Sequence, residues 1–280
     1  MTVLILTTIG YIVLGFFVGG LGTLIGAGGG FLLTPVLLTL FPDMTPDSIT
    51  AISMTTVFFN SVSGSAAYAK MKRIDYKTGV VFAAATLPGV VIGTLLTYIT
   101  PRSLFDIIFG GFMVVFAAVI FIKSRLGDRS ADYDKPGRFR AKRILADKAG
   151  HQTAFSFNML TGVLISSAIG FLSGFLGIGG GIIHVPALVF LGFPAHFATA
   201  TSHFVLAFSS STSFIMHLIS GVLTNNAYIA FVIAAGAVAG AQAGAFFSKK
   251  IKGSAILICL AAALVLAGVR IFISGMAFYI

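Results

Sequence analysis

The chain has 280 residues, 57% of them hydrophobic and 9% charged, with a formal net charge of +10, whereas a soluble domain carries about 25% charged residues. This composition excludes a water-soluble globular fold. It also turns the basic excess from a nucleic-acid signal into a topology signal, because nine of the 18 Lys and Arg lie within residues 123–148 and most others flank apolar runs.

No Lys, Arg, Asp or Glu precedes Asp43, and none occurs in the 100 residues from Ala149 to Ser248. A spanning helix needs about 20 apolar residues, so the second run alone holds four or five. The first segment, residues 3–25, has no basic n-region and no small-residue cleavage site, and is read as a retained helix. It meets Gly26-Ala27-Gly28-Gly29-Gly30, where adjacent glycines, each costing about 1 kcal/mol against Ala in a helix, predict unwinding. Residues 31–41 then give only about 16 Å of helix, too short for a hydrocarbon core of about 30 Å, and are read as a half-helix. A turn with Pro42, Asp43, Pro46 and Asp47 leads to spans over 48–69, 79–99 and 104–122, with Lys70, Lys72, Arg73 and Lys77 closing the first of these.

Residues 123–150 carry nine basic and four acidic side chains and form the only long polar stretch. It separates a first membrane repeat (1–124) from a second (153–280), with 125–152 as a basic cytoplasmic loop. From Phe155 the plan returns: a long segment, a second break at Gly177-Ile178-Gly179-Gly180-Gly181, a half-helix over 182–191, and spans over 199–219, 227–247 and 255–273. At an offset of 151, Gly19, Gly26, Gly28, Gly29, Gly30 and Pro35 fall on Gly170, Gly177, Gly179, Gly180, Gly181 and Pro186. A slip of two residues then sets Ser53 on Ser202 and Asn60 on Ser209. Basic residues favour the cytoplasmic side, which puts 70–77 and 123–150 inside in the first half, while in the second half Lys249, Lys250 and Lys252 occupy the opposite equivalent position. The expectation is an all-α polytopic membrane protein of two inverted repeats. Each has a glycine-broken helix, a short half-helix and three spanning helices, giving about eight full spans in ten segments with both termini outside.

The chain contains no Glu, and none of its eight Asp lies deep in a span; Asp106, four residues after Arg102, reads as a helix-end ion pair. The single Cys259 excludes a disulfide framework and a cysteine-built metal site. No close His spacing supports a metal, no Gly-Lys-Ser/Thr makes a P-loop, and no cofactor is expected. What remains is neutral. Ser53, Thr56, Asn60 and Ser63 share one helical face, and Ser202, Ser209, Ser213 and His217 form a comparable stripe. Such hydroxyls also serve helix packing, but a buried Asn60 amide needs partners. Backbone amides at Gly28, Gly29, Gly30, Gly179, Gly180 and Gly181, with Ser53, Thr56, Asn60, Ser202, His203, Ser209 and Gln242, suit a small anion with several oxygens. His184 and His203 are the candidate proton carriers.

The paired breaks each followed by a proline, the Thr50-Ala51-Ile52-Ser53 and Thr199-Ala200-Thr201-Ser202 starts and the duplicated halves resemble the sulfite exporter TauE/SafE family of membrane permeases over nearly the whole chain. The resemblance implies an inner-membrane carrier for a sulfur-containing oxyanion or organosulfonate, sulfite or sulfoacetate among them, on the export side, and the inverted halves lead us to expect a secondary transporter that works by alternating access. It points to the two glycine breaks and the Ser53 and Ser202 regions. An anion channel of the same architecture and a carrier for another small anion are the alternatives. A membrane-embedded enzyme would need a nucleophile with a base, and Ser202 and His203, adjacent on a helix, point about 100° apart. The expected partners are the anion, the lipid bilayer and a second copy of the chain, with no nucleic acid.

Overall fold

The computed structural model describes residues 2–126, 139–148, 150, 152–248 and 253–277. In chain order its elements are α1 (Thr2–Ile25), α2 (Gly30–Leu40), α3 (Pro46–Lys70), α4 (Tyr76–Thr97), α5 (Arg102–Leu126), β1 (Arg140–Ala146), β2 (Gln152–Asn158), α6 (Met159–Leu176), α7 (Gly181–Leu191), α8 (Ala195–Ile219), α9 (Val222–Asn225), α10 (Ala227–Phe247) and α11 (Gly253–Met276). Residues 127–138, His151 and the junction at Lys249, Lys250 and Lys252 lie outside the described residues, as does the side chain of Cys259.

Among the described residues α1, α4, α6, α8 and α10 are both long and apolar enough to cross a membrane, and α3, α5 and α11 are 25, 25 and 24 residues long. Outward faces carry Val3, Leu6 and Phe17 of α1, Val80 and Ile92 of α4 and Leu266 of α11, all exposed. In water so broad an apolar surface would aggregate; in a bilayer it is the solvated face. The chain is a mostly helical, multi-pass membrane protein.

Helices pair along seams of small residues. In lipid there is little hydrophobic drive between helices, so close backbone approach supplies the attraction. α1 lies parallel to α10: a methyl group on Gly15 would stand 2.0 Å from the Ile233 carbonyl oxygen, and one on Gly240 would stand 2.1 Å from that of Phe16. α6 lies parallel to α4 in the same way, with Gly170 against the Thr86 carbonyl and Gly89 against that of Ser167. α5 runs antiparallel to α11, and α3 packs between α8 and α10.

Both predicted breaks are present. Gly26, Gly28 and Gly29 have φ of +80°, +74° and +85°, and Gly177, Gly179 and Gly180 have +66°, +74° and +75°, a region glycine enters without a Cβ penalty. The half-helices α2 and α7 have 11 residues each.

The far end of α2 is held by α5. Arg102 Nε donates to Asp106 at 2.8 Å, while its Nη atoms donate to the carbonyls of Leu38 (2.9 Å), Phe41 (3.2 Å) and Met44 (2.6 Å). The guanidinium thus satisfies carbonyls that a helix C-terminus leaves open, and the expected Arg102–Asp106 pair orients it. Arg102→Leu is expected to lower stability by about 3 kcal/mol, since Asp106 and three carbonyls lose their donor. Arg102→Lys should recover little, because an ammonium cannot fork to all four acceptors. Thermal unfolding in detergent tests this; a wild-type midpoint for the leucine variant would refute it.

Two expectations need correction. The fold is not entirely helical: β1 pairs antiparallel with β2, from Arg140 opposite Asn158 to Ala146 opposite Gln152. The segment leading to the second break starts at Met159 rather than Phe155, because Phe155 and Phe157, two residues apart on one strand face, insert among Phe82, Leu188, Phe193, Ala198 and Val205. The hairpin is fastened to the α3–α4 corner. Arg143 Nε lies 3.2 Å from Asp75 Oδ2, and the Lys148 amide donates to the Met71 carbonyl at 3.1 Å.

Candidate functional site

Each break is built as a helix that stops and a shorter one that restarts. At the first, the amides of Ala27 and Gly28 fold back onto the Gly22 carbonyl at 2.7 and 3.3 Å; at the second, Gly177 folds back onto Ser173 at 3.0 Å. Both joints are buried from Gly26 to Phe31 and from Gly177 to Ile182.

The joints meet. A β-carbon on Gly30 would lie 2.8 Å from the Gly177 carbonyl oxygen, and one on Gly181 would lie 2.6 Å from that of Gly26. Hydroxyls from the other repeat fasten these carbonyls: Ser53 Oγ donates to Gly177 at 2.6 Å, with Thr34 Oγ1 2.9 Å from Ser53 Oγ, and Ser202 Oγ donates to Gly26 at 3.3 Å. Among the described residues no acceptor meets the amides of Gly30 and Phe31 or of Gly181 and Ile182, the first helical residues of α2 and α7. A helix start concentrates partial positive charge on such amides. Here each start lies buried against a carbonyl of the opposite joint.

Polar clusters flank the joints on either side. Toward the hairpin, Thr23 Oγ1 donates to Asn60 Oδ1 at 3.2 Å and lies 3.3 Å from His203 Nε2, and the Tyr68 hydroxyl donates to the Thr23 carbonyl at 2.7 Å. Asn60 Nδ2 and His203 Nδ1 are buried with no hydrogen-bond partner. On the other side, His217 lies between Thr50 Oγ1 (3.4 Å) and the Tyr98 hydroxyl (3.2 Å), with Thr94 Oγ1 donating to Ser213 Oγ at 2.9 Å.

The structure brings together Gly28, Gly29, Gly30, Gly179, Gly180, Gly181, Ser53 and Ser202, with His203 next to Ser202 and Asn60 two turns along α3 from Ser53. Thr56 and Ser209 are buried but bond their own helix, to the carbonyls of Ile52 (3.0 Å) and Leu206 (3.2 Å). His184 sits apart from His203, with Nε2 3.1 Å from Ser166 Oγ and Nδ1 without a partner. Gln242 is exposed, bonds Ser63 and lines a surface cleft of about 260 Å³ with Lys70, Met71 and Lys148, away from the joints. Sequence reasoning missed Thr34, four residues past the first break, and Thr23, three before it. Each breaks the duplication, with Val185 and Gly174 as counterparts, so the repeat pattern concealed them. Tyr68, Thr94 and Tyr98 were missed too, because single hydroxyls near span ends carry no periodic signal.

Residues 11–271 match the family described as Sulfite exporter TauE/SafE. The probable membrane transporter protein YunE of Bacillus subtilis (strain 168) is 33% identical over 271 residues, covering 94% of this chain and 97% of that one. A probable membrane transporter protein of Methanocaldococcus jannaschii, MJ0441, is 31% identical over 232 residues, covering 80% and 78%. Sulfite exporter TauE/SafE family protein 6 of Arabidopsis thaliana is 32% identical over 93 residues, 33% of this chain and 22% of that one. No solved structure matches the chain. With the paired broken helices in place and the match running over nearly its whole length, the chain belongs to the TauE/SafE sulfite exporter family of membrane transporters.

Proposed function

We propose that the protein is a secondary carrier that exports a small sulfur-containing oxyanion, such as sulfite or sulfoacetate, across the cell inner membrane by alternating access. Two inverted repeats, 1–124 and 153–280, supply ten segments with about eight full spans, the hairpin side cytoplasmic and both termini outside. The exchanged pairing supports a two-fold relation between the halves: α1 of one half lies along α10 of the other, and α6 along α4, an arrangement compatible with inverted repeats.

One observation carries the reading: the acceptor-free amides at the starts of α2 and α7 lie buried where the two joints cross. An anion with several oxygens would satisfy them, with Asn60 Nδ2 and His203 Nδ1 as further donors. Neutral donors hold a charge without the tight grip of a guanidinium, so release remains fast. His184 and His203 are the groups through which proton coupling would run. In this reading the joints, buried in the conformation described, open to one side at a time.

Proteoliposomes holding the full chain should exchange radiolabelled sulfite or sulfoacetate with saturable counterflow. Flux of a divalent metal ion with none of any oxyanion would overturn the reading, and flux without counterflow would make the protein a channel. Asn60→Leu, close in volume, removes a buried donor that has no partner together with the oxygen that accepts from Thr23, so stability should fall by about 1–3 kcal/mol. Counterflow should fall on the order of tenfold or more, equivalent to about 1.4 kcal/mol of lost binding.

A further inference from the structure

On α3 and α8 one side chain is out of character with its neighbours. Val57 has Ser53 four residues before it and Asn60 and Ser61 three and four after; Leu206 has Ser202 before and Ser209 and Ser210 after. Residues at these spacings share a helix face, so each polar stripe is interrupted once, at its middle. The correspondence that sets Ser53 on Ser202 also sets Val57 on Leu206.

The structure shows what fills these positions. Val57 methyls lie 3.0, 2.7 and 2.6 Å from the points where β-carbons of Gly28, Gly30 and Gly179 would stand. Leu206 Cδ2 lies 2.6 and 2.9 Å from those of Gly28 and Gly181. Both side chains are buried, at 0% and 2% exposure. They therefore cover the two helix starts whose amides lack acceptors, and they separate the Asn60–Thr23–His203 cluster from the Thr50–His217–Tyr98 cluster. Two short apolar side chains across a polar path exclude water and hydrated ions alike.

We propose that Val57 and Leu206 form a two-residue apolar seal at the crossing of the broken helices, which retracts for each transported anion and otherwise blocks passive ion flow. The proposal rests on the carrier reading and adds to it the residues that keep the carrier from leaking. No polar group of the site need move for the seal to open, because retraction of the two methyl-bearing tips exposes amides already in place. The size of the opening then sets which anions pass.

The test uses the full chain in proteoliposomes with an entrapped iodide-quenched dye and a potassium gradient with valinomycin. Wild type should admit iodide at the rate of protein-free vesicles. Leu206→Ala and Val57→Ala should raise that rate on the order of tenfold, because shortening the seal lets water bridge the constriction. Val57→Thr nearly keeps the shape and adds a hydroxyl that can bond the Ser53 carbonyl one turn back, so it should leak at a smaller cost in stability than the alanine variants. Leu206→Met should stay tight, and so should Leu264→Ala, which opens a comparable gap on α11, a helix that contributes no residue to the joints. Iodide flux at baseline in Val57→Thr and both alanine variants, each with a wild-type elution profile, would overturn the proposal, as would equal leak in Leu264→Ala. Since iodide is not the proposed substrate, a leak in the seal variants stands even if no sulfur oxyanion shows counterflow.

Discussion

Gly181→Ala is expected to abolish transport and to lower stability by about 3 kcal/mol, the upper part of the range for overpacking a close contact. The new methyl would stand 2.6 Å from the Gly26 carbonyl oxygen, 2.7 Å from Ala27 Cα and 2.9 Å from Leu206 Cδ2. Two of these three atoms belong to the backbone of the opposite joint, which is fastened by Ser202 and by the folded-back amides of Ala27 and Gly28. Neither joint has room to yield, so the crossing would have to separate. Gly30→Ala meets the same obstacle from the other side, 2.8 Å from the Gly177 carbonyl. Gly111→Ala is the control: its methyl meets only Phe272 at 3.9 Å, an ordinary contact, and helix propensity alone should make it neutral or stabilising by up to about 1 kcal/mol. Thermal unfolding and anion counterflow on the three variants decide the matter. Wild-type counterflow in Gly181→Ala would mean that the joints do not touch in the working protein.

The second large effect is at Asp75, whose carboxylate does three jobs at 2% exposure. It caps α4 by accepting from the Thr78 amide at 3.2 Å, it receives the Thr78 hydroxyl, and it pairs with Arg143 of β1. Its own amide donates to Thr201 on α8 at 3.0 Å. Asp75→Leu removes the cap, worth about 1 kcal/mol, and strands Arg143 beside a buried apolar group, for a total of about 3–5 kcal/mol. Arg143→Leu should cost a similar amount, because the buried carboxylate then loses its counter-charge. The double variant should cost clearly less than the two single losses added, since a pair removed together leaves no orphan. Limited trypsin digestion gives an independent readout: in either single variant Arg140 and Lys142, and in Asp75→Leu also Arg143, should become rapidly cleaved as the hairpin lifts away. Strict additivity with an uncut hairpin would show that Arg143 does not anchor it.

What the sequence revealed and what it hid divide along a physical line. The glycine breaks, the half-helices and the duplication were legible because three glycines and a proline in an apolar run permit few conformations. The Arg102–Asp106 pair was legible because i, i+4 spacing is local. The hairpin was not. Phe155 and Phe157 continue an apolar run that reads equally as helix, and only the Phe82 and Phe193 rings, distant in sequence, favour the strand face. The roles of Ser53 and Ser202 were half legible: their position at the joints was expected, but each donates to a carbonyl of the opposite joint, which no single helix face discloses. Gln242 shows the limit of reasoning by composition, because a polar residue on a glycine-rich helix bonded Ser63 at the surface rather than turning inward. Val57 and Leu206 had a signal that went unread, an apolar residue at matching places in two polar stripes.

The pairing of α1 with α10 bears on how the molecule is made. Thr8 on the first helix meets Tyr228 on its partner across 220 residues of chain. At about 5–20 residues per second, a ribosome needs on the order of tens of seconds to supply that partner. The first helix must therefore dwell alone in lipid with its glycine seam unmet. It is the most apolar of the candidate spans and carries no charge, which lets it wait there as a lone insert. Final assembly is thus a late event, begun only when the residues from Ala227 onward emerge. A truncated product ending before residue 227 should be membrane-inserted yet short-lived in the cell.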